Sequence, residues 1–220
     1  MTSSPIVIVG GAGAFASLMV HMLLLNSVSK SRNPVLDSDF PRIEHISIPF
    51  KSMTSAGVID QSLASEELLS ALSPDILDNA SAILLACFSL NPLLPKHSAI
   101  VNLVTTTLSE LNPATRSLVL CSKSSRDSAL FGSQSYLKYP SPALASLLDD
   151  VIADVINSGF SYKSELLSMV INQEIIDKDC SQVIIGCTEF LCVKFSLNVP
   201  IVNPVLTAIN LSLEKYYASL

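Results

Sequence analysis

Charge is scarce in this 220-residue chain: only 15% of its residues are Asp, Glu, Lys or Arg. Thirteen basic against nineteen acidic side chains leave a net charge of −6, too little positive charge for broad neutralisation of a nucleic-acid backbone. The grammar of a metal site is missing as well. No C-x-x-C pair occurs, and the three histidines, His21, His45 and His97, stand alone, so no metal is expected. The five cysteines, at 87, 121, 180, 187 and 192, are odd in number and irregular in spacing, which argues against a secreted disulfide framework. A membrane-length apolar run is also lacking. The densest stretch, Ala14 to Leu25, covers 12 residues broken by Ser17 and His21, and reads as a buried helix. Met1 to Ser4 carry no Lys or Arg and lead directly into a strand-like run, so neither a leader nor an anchor is expected, and the expected compartment is the cytoplasm.

What the chain does have is apolar material, 49% of residues, which excludes an intrinsically disordered protein. Its length fits one domain or two lobes of about 100 residues each. Short β-branched runs alternate with longer segments of helical period, the pattern of parallel sheets flanked by helices, so an α/β fold is expected. Strands are predicted at Ile6–Val9, Ile43–Pro49, Ala82–Ala86, Ile100–Val104, Ser117–Cys121, Ser135–Tyr139 and Val183–Gly186. Helices are predicted at Ala14–Val28, Gln61–Leu72, Pro74–Ala80, Thr106–Leu111, Arg126–Phe131, Pro142–Ser158, Tyr162–Asp177 and Pro204–Tyr217. Ser73-Pro74-Asp75 and Asn203-Pro204 read as helix starts, with a capping side chain followed by proline at the first helical position. Asn26–Phe40, without apolar period, reads as an exposed loop.

One internal comparison is the most informative. Ser81-Ala-Ile-Leu-Leu-Ala-Cys87-Phe-Ser and Ser181-Gln-Val-Ile-Ile-Gly-Cys187-Thr-Glu align without gaps, 100 residues apart. Each gives a serine, an apolar strand, a small residue, then cysteine at the strand's carboxyl end. Two related lobes follow from this, the first from residues 1–104 with 203–220, the second from 105–202. Ligand crevices of open α/β sheets lie outside the carboxyl ends of strands, so two such ends would present two thiols to one cleft. A lone free cysteine is commonly just a small buried hydrophobe, and Cys121, Cys180 and Cys192 are assigned to packing. A matched pair can instead take a proton from one face of a carbon and return one to the other. That is two-base racemisation. A strand-Cys-helix junction favours the thiolate, and backbone N–H groups with Ser89, Ser122 and Thr188 are the available donors for carbanion charge. Glu189 either orients a neighbouring group or caps the following helix, and it is assigned to the helix start, where acids favour the first turn.

Gly10-Gly11-Ala12-Gly13 after the first strand, Cys87 after the third, and Ile184-Ile185-Gly186-Cys187-Thr188-Glu189-Phe190 resemble the cofactor-independent aspartate/glutamate racemase superfamily, particularly its aspartate racemase branch. The similarity of element order covers nearly the whole chain. The resemblance implies two pseudo-symmetric α/β lobes with the site between them, Cys87 and Cys187 as the acid–base pair, no cofactor, a small amino-acid substrate and a homodimer. It places Ala12, Lys51, Ser89, Ser122 and Thr188 at the substrate, with Thr188 and Ser89 on its α-carboxylate. The chain also departs from the family pattern. Phe88 stands where the family has an asparagine that donates to the carboxylate. Lys51 stands where an arginine commonly grips the side-chain carboxylate, and Asn157 aligns with a second basic position. A thinned grip on an acidic substrate is implied.

Other readings stay open. Gly11-Ala12-Gly13-Ala14-Phe15-Ala16 also fits G-x-G-x-x-A between a strand and a helix, yet the second strand ends without the acidic residue that would bind a dinucleotide's ribose. Hydantoin racemases, maleate isomerases and arylmalonate decarboxylases resemble the same fold. A ligand-binding relative that kept only the architecture is the non-enzymatic alternative.

Overall fold

The computed structural model describes residues 4–220. The leader expectation at Met1–Ser4 therefore falls mostly outside the described residues. Among them, no helix is long and apolar enough to cross a membrane. In chain order the elements are β1 (Ile6–Gly10), α1 (Ala14–Arg32), β2 (Ile43–Ser47), β3 (Met53–Thr54), β4 (Gly57–Val58), α2 (Gln61–Ala71), α3 (Pro74–Asn79), β5 (Ala82–Leu85), β6 (Ile100–Val101) and α4 (Leu103–Glu110). They continue with β7 (Ser117–Leu120), α5 (Lys123–Asp127), β8 (Leu137–Lys138), α6 (Pro142–Ser158), α7 (Ser164–Asp177), β9 (Gln182–Ile185), β10 (Ile201–Val202) and α8 (Pro204–Ala218). Single turns of 3-10 helix follow β5 and β9, at Phe88–Leu93 and Thr188–Cys192.

Eight strands form two parallel sheets in the orders β2-β1-β5-β6 and β10-β9-β7-β8. Matching β1 with β7, β2 with β8, β5 with β9 and β6 with β10 gives one and the same order in both. The repeat seen in sequence thus extends to topology. It continues into the helices, because Asn102 and Asn203 each accept a hydrogen bond from the second N–H of α4 and α8. Strands β1, β5 and β7 are buried along their length, as near-continuous apolar runs in a parallel sheet must be. One apolar cluster joins the halves: Ile8 and Leu84 of the first sheet share it with Val119 and Ile184 of the second, and with Val205, Ala208 and Ile209 of α8. That last helix follows the second sheet in sequence yet packs against β1, β5 and β6.

Several boundaries differ from the sequence reading, each for a local reason. The strand predicted at Ile100–Val104 stops at Val101, because Asn102 caps a helix that begins at Leu103. The helix expected at Arg126–Phe131 runs instead over Lys123–Asp127, and Ala129 and Gly132 beyond it have positive φ, 46° and 92°. Helix α1 extends to Arg32, four residues past Val28, so the loop starts at Asn33, whose left-handed backbone ends the helix. Strands β3, β4 and β10 are two residues long and have no readable alternation.

Candidate active site

The carboxyl ends of the two inner strands of each sheet converge on one cavity of about 140 Å³. Its wall takes Gly11, Ala12 and Gly13 from the turn after β1, Cys87, Phe88 and Ser89 after β5, Ser122 after β7, and Cys187, Thr188 and Glu189 after β9. Parallel strands put their carboxyl ends on one side of a sheet, and the equivalent positions of two equivalent sheets therefore meet here. The hairpin β3–β4 adds Met53, Thr54 and Gly57 with Ser55 from the turn between the strands, and Phe50 precedes it. A backbone hydrogen bond from Ser124 N–H to the Ala56 carbonyl (2.9 Å) ties that hairpin to α5 in the other half. Helix α6 presents Ile152 and Ile156, one turn apart, to the same space.

Both thiols are buried yet line the cavity, with Cys87 8% and Cys187 7% exposed. Each precedes its 3-10 turn, so free N–H groups at the start of the turn face the sulfur: Ser89 and Leu90 for Cys87, Glu189 for Cys187. Those donors favour thiolate, but burial outweighs them. Burial first, and the Glu189 charge second, push the Cys87 thiol up to about 12. The same two causes, with a hydrogen bond to the Glu189 carboxylate and the nearby Cys87, hold Cys187 well above the ordinary thiol range.

Asn91 braces the first sulfur. It is 1% exposed, donates to the Cys87 carbonyl (2.7 Å) and accepts from the Leu103 N–H (2.6 Å).

Glu189 takes the other of its two predicted roles, beside a neighbouring group. It does sit in the first turn of a short helical segment, where its carboxylate accepts from its own N–H, but its side chain also lines the cavity. The Cys187 thiol donates to its Oε2 at 2.8 Å, and the Thr188 hydroxyl stands 3.4 Å from the same oxygen. Oε1 lies against Gly13, where an added Cβ would come within 2.1 Å of it. Gly13 also has φ +84°, so both the backbone and the carboxylate require glycine there. Burial raises the carboxyl pKa of Glu189 above its ordinary value, against the lowering by its hydrogen bonds. An acid spaced two residues from the cysteine was the available signal, but side-chain direction is settled only by tertiary contacts.

The other predicted residues divide. Ala12, Ser89, Ser122 and Thr188 line the cavity with the two cysteines. Thr188 donates across it to the Ala86 carbonyl (3.1 Å), so its proton joins the two halves. Ser89 and Ser122 belong to a hydroxyl cluster with Ser124 and Ser125, at oxygen separations of 3.1–3.4 Å. Lys51 stands outside the lining: its side chain is exposed and its charge acts on Glu67, which also accepts its backbone N–H. Its neighbour Phe50 faces the cavity instead. Asn157 is exposed on α6, where Ile152 and Ile156 are the positions that face inward. Phe88 lines the cavity from within the core, 2% exposed and 5.6 Å from the Phe131 ring. Cys121 and Cys180 are buried and Cys192 is half-buried, all away from the cavity lining.

Comparison with solved structures places the fold. An aspartate racemase homologue from Pyrococcus horikoshii superposes with a TM-score of 0.69 over 97% of this chain and 99% of its own, at 16% identity. The fold is that of the racemases. The aspartate racemase of Picrophilus torridus shares this racemase fold with a TM-score of 0.67 over 97% of this chain and 94% of its own, at 15% identity. So does the allantoin racemase of Klebsiella pneumoniae, with 0.60 over 99% and 89% at 11% identity. No family model matches the chain, and neither does any curated protein.

Proposed function

We propose that the protein is a cofactor-independent racemase that inverts the α-carbon of a small amino acid between Cys87 and Cys187. The observation that carries this reading is the pairing of the two thiols at equivalent strand ends in one cavity, with Glu189 hydrogen-bonded to one of them. Racemases of aspartate and of allantoin share the fold, so the reaction class has wider support than any one substrate.

Both sulfurs rest as thiols, because burial holds their pKa values high. The 2.8 Å contact offers a route to a base: Cys187 passes its proton to the Glu189 carboxylate, whose own proton affinity burial has raised. The Cys187 thiolate then takes the α-proton from one face while the Cys87 thiol gives its proton to the other. Inversion leaves Cys87 as thiolate and Cys187 as thiol, the state from which the mirror-image substrate reacts. Backbone N–H groups at the 3-10 turns and the Ser89 and Ser122 hydroxyls, held in place by Ser124 and Ser125, support the charge that develops on the substrate carboxylate.

The test is incubation with single enantiomers in D2O, followed by chiral chromatography and NMR at the α-position. Aspartate and glutamate enter first, with neutral amino acids beside them. Inversion with deuterium incorporation is expected, and Cys87→Ser and Cys187→Ser should each abolish it. Full activity in either variant removes the two-base scheme. The reading includes a cytoplasmic homodimer: the unpaired cysteines fit a reducing compartment, and Phe15, Leu18 and Met22 lie exposed along one side of α1. Light scattering of the purified protein measures the second point.

A further inference from the structure

The cavity lining holds few ionisable groups. Among the described residues that line it there is no Lys, Arg or His, and Glu189 is the one ionisable group besides the two thiols. The nearest candidates for a cation are committed elsewhere. Lys51 is exposed beside Glu67. Arg126, four residues after Ser122, donates to the Cys121 carbonyl (2.6 Å) and pairs with Asp149. Four apolar side chains, Phe50, Met53, Ile152 and Ile156, share the lining.

A side-chain carboxylate placed here would lose its water without gaining a positive partner, and it would add to the charge of a buried Glu189. An α-amino acid with an uncharged side chain brings no net charge, and its ammonium group is the complement that Glu189 lacks. The small cavity limits that side chain to a few heavy atoms.

We infer that the site selects amino acids with small uncharged side chains and discriminates against dicarboxylates, because Phe50, Met53, Ile152 and Ile156 wall a cavity that no cation lines. The inference rests on the racemase reading and adds the substrate class to it.

Its test runs deuterium exchange at the α-carbon on the native protein with L- and D-alanine, serine, valine, aspartate and glutamate at equal concentrations. The expected result is an exchange efficiency at least tenfold higher for an uncharged amino acid than for either acidic one. A second arm places a cation in the wall. Ile156→Lys and, on the separate hairpin, Met53→Lys should each move the ratio of aspartate to alanine exchange upward by tenfold or more. Aspartate or glutamate exchanging as fast as the best neutral amino acid overturns the inference while leaving the racemase reading intact. If nothing exchanges, the racemase reading fails, and the substrate class is read from ligand-induced thermal shifts with the same panel. A larger shift with a neutral amino acid supports the inference, whereas a larger shift with aspartate or glutamate, or no shift at all, overturns it.

Discussion

Replacing Glu189 by glutamine keeps the shape of the side chain and its hydrogen-bonding oxygen but removes the charge. At 2.8 Å from the Cys187 sulfur, a full negative charge opposes thiolate formation by up to about 6 kcal/mol at an effective dielectric constant of about 20. Removing it lowers the Cys187 pKa, and exchanging a charged acceptor for a neutral one lowers it further, since that hydrogen bond holds the thiol form. Even a quarter of the Coulomb ceiling, about 1.4 kcal/mol, shifts the thiol by about one pH unit and raises the thiolate fraction about tenfold. The assay is the rate of iodoacetamide alkylation against pH, with Cys187 and Cys87 resolved by peptide mass spectrometry. In Glu189→Gln the Cys187 profile should move to lower pH by at least one unit. Cys87, which feels the same charge without the hydrogen bond, should move less. A Cys187 profile that stays in place, or moves to higher pH, refutes the assignment of a charged Glu189 to this thiol.

Stability should carry the same signature. A carboxyl with a raised native pKa binds its proton more tightly folded than unfolded, so its contribution is complete below the unfolded value near 4.5 and is lost as pH rises through the native one; Glu189→Gln should flatten the fall in melting temperature above that point. Cys87 and Cys121, both raised from 9.0 to about 12, act likewise at alkaline pH: each withdraws up to about 4 kcal/mol between those limits, and Cys87→Ala should soften the loss in a pH series of thermal melts. Gly13→Ala should both strain a backbone at φ +84° and displace the Glu189 carboxylate, lowering the melting temperature and returning Cys187 alkylation toward the Glu189→Gln profile; an unchanged profile would mean that Glu189 does not lean on this turn. Phe88→Asn brings in an amide but empties a core site against Phe131, and denaturant unfolding should show a loss of about 3–5 kcal/mol.

The parts of this architecture that are legible in sequence are those with a long local pattern. The apolar runs at Ile6, Ala82, Ser117 and Val183 are buried strands whose neighbours cannot be polar, and Ser73-Pro74 and Asn203-Pro204 start helices through bonds made within a few residues. The 100-residue spacing of Cys87 and Cys187 is readable because both halves repeat the same strand and turn. What is not readable depends on contacts between distant segments. Strand β10 is two residues defined only by β9 beside it, and the hairpin β3–β4 is fixed by its tie to α5. Nothing in the spacing of Ser89, Ser122, Ser124 and Ser125 announces one hydroxyl cluster. Helix α6 turns Ile152 and Ile156 rather than Asn157 to the cavity, a matter of one residue's rotation about the helix axis.

The hundred-residue offset that pairs Cys87 with Cys187 also pairs Ser89 with Glu189. The scaffold is duplicated but the carboxylate is not. For an enzyme that interconverts mirror images, the endpoint is fixed at equal amounts, because enantiomers have equal free energies in water, and no asymmetry of the protein can alter it. The two sulfurs are nonetheless unlike: one donates to a carboxylate, and the other faces only backbone N–H groups and the charge of that same carboxylate. An endpoint of equal amounts also holds kcat/KM equal for the two substrates at every pH, so the handedness written by a single unrepeated side chain can show only in kcat and KM taken separately.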